Sequence, residues 1–96
     1  MSKMKTSKIR KSANGEDCTL RVSPSCQDGE TVVFCHINSP TKGVGRKSID
    51  LFGCYGCYHC HQMLDSSKVE SDDVLRAMIE TQIKLVNKGL VSYDGI

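Results

Sequence analysis

The residues of this chain best suited to chemistry are its cysteines and histidines, and most of them fall in Cys54-Tyr55-Gly56-Cys57-Tyr58-His59-Cys60-His61. Cys57-x-x-Cys60 has the spacing at which a tight turn brings two sulfurs onto one ion. Upstream, Cys18 and Cys26 enclose Thr19 to Ser25, a wider gap than the usual knuckle. The two pairs together supply four thiolates, the set zinc uses when its role is structural. Cys54-x-x-Cys57 is a competing register in the same cluster. The later pair is preferred because a histidine and then a helix follow its second ligand. Cys35 and Cys54 then read as small buried residues.

Three further side chains extend this chemistry. His61 and Asp65 are four apart at the start of a predicted helix, which puts both on one face where they can share a divalent cation. His36 ends an apolar strand. It reads as a half-buried histidine, as a zinc ligand replacing one cysteine, or as a general base that deprotonates a water attacking a phosphodiester. A bound cation would then stabilise the developing charge.

The elements that must position these groups are short. Thr19 to Val22 has β-branched residues and alternation, and Ser23-Pro24-Ser25 reads as a turn, which predicts a hairpin-like knuckle. Thr31 to Ile37 is the strongest strand signal, with Val32, Phe34 and His36 on one face. A loop rich in Gly, Pro and Ser follows over 38–48 and carries Lys42, Arg46 and Lys47. Ile49 to Phe52 reads as a short return strand, and a helix is predicted to begin near Cys60. The last helix has Asp72 and Asp73 in its first turn and Lys84 and Lys88 in its last, matching the macrodipole. Leu75, Met78, Ile79, Ile83 and Val86 form an apolar stripe expected to supply core. Gly89 is placed to stop the helix.

Composition bounds the class. The 96 residues make one domain with five aromatic side chains and no Trp, so the core is thin. A small domain of this kind needs a staple, either disulfides or a metal. The N-terminal stretch lacks the apolar run of a signal peptide, and no segment approaches membrane-spanning length. Both features predict a reducing, cytoplasmic setting, where thiolate–metal ligation is favoured over disulfides. The net charge of +2 is uneven: five basic residues, Lys3 to Lys11, precede the first acid. This basic arm is a candidate phosphate-binding element, with a solvated leader as the plain alternative. Residues 1–9 are read as a disordered arm and 10–96 as one zinc-binding domain.

From about Arg10 to Val91 the chain resembles the YbcO-like family of small phage and prophage proteins, classed as nucleases. The matching stretches are Arg10-Lys11-Ser12-Ala13, Cys18-x7-Cys26, His36-Ile37 after the apolar strand, and Asp50-Leu51. They continue through Cys57-x-x-Cys60-His61-x3-Asp65 and Thr81-Gln82-x8-Gly89-Leu90-Val91. That family is similar to the HNH domain of the phage RecA-dependent nuclease Ref. The resemblance implies an α+β fold: a small zinc-stabilised ββα-metal, treble-clef-like domain with an additional C-terminal helix. It implies structural zinc at Cys18, Cys26, Cys57 and Cys60, a general base at His36 and a catalytic metal ligand at His61. Asp50 falls near the motif's central Asn or Asp. Cys35 occupies the position before the base where many HNH enzymes carry a metal-binding Asp or His, which leaves Asp65 as the candidate for the missing ligand.

The function expected is therefore a metal-dependent HNH-type DNA endonuclease acting in recombination or replication. It would use Mg²⁺, Mn²⁺ or Zn²⁺ at the catalytic centre. Lys8, Arg10, Lys11, Lys42, Arg46 and Lys47 would face the phosphate backbone, and a RecA-type filament is a candidate partner. The alternative is a non-catalytic zinc-finger module that binds nucleic acid or a recombination protein.

Overall fold

The computed structural model of the protein describes residues 8–37 and 51–94. Among them the elements run α1 (Lys8–Lys11), β1 (Val33–His36), β2 (Gly53–Gly56), α2 (Tyr58–Asp65) and α3 (Ser71–Asn87). This is a small α+β arrangement around one two-stranded antiparallel sheet. Phe34 pairs with Tyr55, Cys35 with Cys54, and His36 with Gly53.

β1 lies inside the strand predicted over 31–37. The return strand is a correction: expected over Ile49 to Phe52, it runs instead through Gly53-Cys54-Tyr55-Gly56, and Leu51 and Phe52 belong to the turn before it. Glycine lowers strand propensity, but both glycines are required by close approach. A Cβ on Gly53 would collide with the Phe34 ring and lie 2.7 Å from the Cys35 carbonyl oxygen. A Cβ on Gly56 would lie 2.8 Å from both Cys35 Sγ and Leu20 Cδ1. All four residues of β2 are buried.

The outer edge of β2 is closed by threonines. Thr81 Oγ1 on α3 accepts the Tyr55 N–H at 3.1 Å, and the Tyr55 carbonyl accepts from Thr19 N–H and Thr19 Oγ1 at 2.8 Å each. The two threonine hydroxyls are 3.0 Å apart and fully buried. This ring satisfies strand-edge groups that would otherwise be buried without partners. On the other side, Ser12, just beyond α1, meets the Tyr55 hydroxyl at 2.7 Å.

α3 starts and stops as its sequence predicts. Asp72 and Asp73 occupy its first turn, and Gly89 takes φ +75° just past its end. Leu90 N–H reaches the Leu85 carbonyl and Gly89 N–H the Val86 carbonyl, both at 3.0 Å, which together form a Schellman motif. The orientation of the helix is a second correction. Its buried face carries Ala77, Thr81 and Leu85, whereas Leu75, Ile79 and Ile83 of the predicted core stripe are 53%, 49% and 56% exposed. This face brings Thr81 against the edge of β2, where its hydroxyl accepts the Tyr55 N–H.

The Cys18–Cys26 segment also departs from expectation. It forms no strand but an irregular knuckle, with Arg21 in the left-handed region at φ +50°. The core joins Leu20, Val32, Phe34, Tyr55 and Leu85 to Ala13, Ala77 and the buried cysteines. No helix among the described residues is long and apolar enough to cross a membrane.

Candidate metal centre

Cys57 begins the site because it is also the N-cap of α2. Its extended backbone (φ −74°, ψ 170°) turns the chain into the helix, and its sulfur accepts the Cys60 N–H at 3.5 Å. Gln27 N–H reaches the same sulfur at 3.5 Å, Val22 N–H reaches Cys60 Sγ at 3.4 Å, and Cys57 N–H reaches Cys18 Sγ at 3.3 Å. These N–H···S contacts tie the knuckle to the helix start, and those to Cys57 and Cys60 favour the ionised sulfur.

The four predicted sulfurs do converge. The Sγ atoms of Cys18, Cys26, Cys57 and Cys60 all lie within 4.8 Å of one another, so the cluster can hold a metal ion such as zinc. Ligands about 2.3 Å from a tetrahedral zinc are separated by roughly 3.8 Å, which falls within the 4.8 Å that bounds this cage. Cys26 is partly exposed and the other three are buried. Burial acts to raise the Cys57 thiol, yet the N–H donors of Gln27 and Cys60 bring it down from 9.0 to about 7. Burial pushes Cys26 and Cys60 up instead, and neighbouring thiols add to it. As four thiolates, sulfurs this close would need a compensating cation, and a soft divalent ion would suit an all-sulfur set. Cys35 and Cys54 stay outside the cage. Both are fully buried, and burial pushes Cys54 up to about 12.

A clamp from α3 holds the knuckle, and sequence reasoning missed it. The Arg76 guanidinium donates to the carbonyls of Thr19 and Leu20 at 2.7 Å each. Glu80 accepts a bidentate pair from Arg21 at 2.9 and 2.8 Å and lies 3.4 Å from Arg76. The left-handed Arg21 is therefore held by an ion pair reaching across to α3. The only sequence signal was an Arg and a Glu one turn apart, which is usually a solvated surface pair.

His61 and Asp65 do share a face of α2. His61 Nε2 lies 3.6 Å from Asp65 Oδ2, with the side chains 37% and 70% exposed. That separation fits two ligands on one ion, since atoms about 2.1 Å from a common centre span at most roughly 4.2 Å. Asp65 also borders an open polar cleft with Ser23, His59, Gln62 and Lys68. His36 ends β1, half-buried, its ring edge-on to Phe34 at 5.3 Å between centroids. The next residue, Ile37, lines a groove together with Leu64 of α2, so the exit of β1 adjoins the far half of that helix. Cys35, whose thiol is raised chiefly by burial and then by Cys54 and Cys18, also feels the Asp65 charge. Among the described residues, the four cysteines are the only group of three or more side chains close enough to hold a metal. Asp50, Lys42, Arg46 and Lys47 lie outside the described residues, while Lys8, Arg10 and Lys11 are exposed on α1.

Comparison with known proteins gives two likenesses. The family model described as "Putative nuclease YbcO" matches residues 7–89. A solved structure titled as that of a putative bacteriophage protein from Escherichia coli is similar at a TM-score of 0.65 and 29% identity, covering 85% of this chain and 100% of that one. No curated protein gives a significant match.

Proposed function

Because the chain belongs to the YbcO family, we propose that it is a nuclease of phage or prophage origin, built as an HNH-type ββα-metal domain. In this reading it cleaves DNA in the host cytoplasm during recombination or replication. The observation that carries it is the double role of Cys57. The same residue is a wall of the sulfur cage and the cap of α2, so the cage fixes the helix start one turn before His61. The succession of β1, β2 and α2 supports the same reading, as does the likeness to a bacteriophage protein.

The roles follow from the donors. Cys18, Cys26, Cys57 and Cys60 hold structural zinc, and His61 and Asp65 offer ligand atoms to a second divalent cation. That cation, Mg²⁺, Mn²⁺ or Zn²⁺, supplies stabilisation of the charge developing on the phosphate and the leaving oxygen. His36 accepts the proton of the attacking water. Lys8, Arg10 and Lys11 bind the phosphate backbone without reading sequence, and Lys42, Arg46 and Lys47 are assigned the same task. Asp50 takes the place of the motif's central residue.

One observation favours a second reading, a zinc module that binds nucleic acid or a recombination protein without cutting. His61 and Asp65 are two ligands, and no third joins them among the described residues. Nicking of plasmid and cleavage of single-stranded DNA, with and without a RecA-type filament, separates the two. Cleavage that requires added Mg²⁺ or Mn²⁺ is expected. DNA binding without cleavage in every condition would transfer the protein to the second reading.

A further inference from the structure

α3 is apolar on two opposite sides. One side, Ala77, Thr81 and Leu85, is buried against the sheet edge; the other carries Leu75, Ile79 and Ile83, each about half exposed. At 100° per residue, Ile79 lies nearly opposite the centre of the buried face. Exposed apolar surface gathered in a stripe marks an interaction site more often than scattered single residues do. The stripe continues into a groove of about 620 Å³ lined by Leu51, Ile83, Val86, Val91 and Tyr93.

From this arrangement we propose that the outer face of α3 is a homodimer interface in which two copies of the helix pack antiparallel about a twofold axis at Ile79. Three features select a second copy of this chain over another partner. The first is self-complementarity. Ile79 is the midpoint of Ser71–Asn87, and the stripe is symmetric about it, with Leu75 four residues before and Ile83 four after. A twofold axis there sets Ile79 on Ile79 and Leu75 on Ile83, the reciprocal pattern of an isologous contact. The groove beside Ile83 then receives Leu75 of the second copy.

The second feature is charge. The basic side chains of the helix's second half are turned away from the stripe, with Lys84 Nζ 3.9 Å from Glu16 and Lys88 paired to the same carboxylate. Arg76 is likewise drawn inward by Thr19 and Leu20. The patch centre therefore lacks charge, as interface cores do, and an antiparallel pair also opposes the two helix dipoles. The third feature is area. Leu51, Leu75, Ile79, Ile83 and Tyr93 are 38–62% exposed. At sizes near 200 Å² each they offer on the order of 500 Å² of apolar surface, most of the roughly 800 Å² per partner of a standard interface.

Sedimentation velocity on the zinc-loaded full chain, over a range of concentrations, tests this directly. A reversible dimer is expected, and Ile79→Glu should weaken it by about thirtyfold or more, because the substitution enters both sides of one contact. Ile79→Lys should do the same, and an equimolar mixture of the two variants should form a heterodimer. Helix content and zinc content should be unchanged in both, since Ile79 lies outside the core. A wild-type chain that stays monomeric at every concentration would overturn the proposal. So would a dimer that both variants leave intact, or a face covered only by a different protein.

Discussion

The backbone N–H of Cys57 donates to the sulfur of Cys18, 3.3 Å away across 39 residues of chain. One hydrogen bond thus joins the knuckle to the first residue of the helix start, and the cage closes where they meet. A metal held by these four sulfurs would therefore tie the knuckle to the cap of α2.

Removing a single ligand should therefore undo more than the metal site. Cys60→Ala is expected to lose zinc and to unfold the domain at ordinary temperature, since structural zinc supplies about 10–16 kcal/mol in small metal-folded peptides. Metal content and far-ultraviolet circular dichroism check this together. A folded, zinc-free Cys60→Ala protein would contradict it, whereas Cys35→Ala should keep its zinc.

The threonine ring that closes β2 carries a separate cost. Thr81→Val preserves shape but leaves the Tyr55 N–H and the Thr19 hydroxyl short of a partner at a fully buried site. A loss of about 1–3 kcal/mol is expected from denaturant unfolding in excess zinc. Thr81→Ser should recover most of it.

Acid should loosen the clamp from α3. Hydrogen bonding from Arg21 outweighs the opposing effect of burial and, with the Arg21 charge and the hydrogen bond and charge of Arg76, holds the Glu80 carboxyl below its usual 4.5. A depressed carboxylate stabilises the fold above its unfolded value and loses that contribution as pH falls through the folded one. Stability should thus decline below about pH 4.5, and Glu80→Gln should remove that part of the decline. Both partners are partly exposed, so the effect should stay under about 1 kcal/mol.

Much of the cage was legible before the structure, and α3's orientation was not. Cys57-x-x-Cys60 is a local spacing, and the distant Cys18–Cys26 pair could be joined to it because four thiolates are the natural structural set. The signals that end α3, two acids at its start and Gly89 at its stop, are also local. Periodicity, by contrast, shows that Leu75, Ile79 and Ile83 share a stripe but not what the stripe packs against. The helix turned the other way because Thr81 has a backbone edge to satisfy. β2 was hidden because its two glycines, needed for the approach of Phe34 and Leu20, resemble a loop. Arg76 and Glu80 looked like an ordinary surface pair until the carbonyls of Thr19 and Leu20 came within reach.

Backbone recognition should appear in the salt dependence of DNA binding. Each phosphate neutralised on duplex contributes about 0.9 to the log–log slope. Replacing Lys8, Arg10 and Lys11 by Gln together should lower the slope by up to about 2.7 and weaken all sequences alike. An unchanged slope would remove α1 from the interface.

Single-turnover cleavage of plasmid by the zinc-loaded His36→Ala protein, beside His61→Ala and wild type, tests the nuclease account most directly. A loss of about 10²–10⁴ in rate is expected for His36→Ala, the contribution of a positioned base, with zinc content, thermal unfolding and DNA affinity unchanged. His61→Ala should lose cleavage while retaining its zinc. Cleavage by His36→Ala at the wild-type rate, or loss of activity only in proportion to lost zinc, would contradict the account.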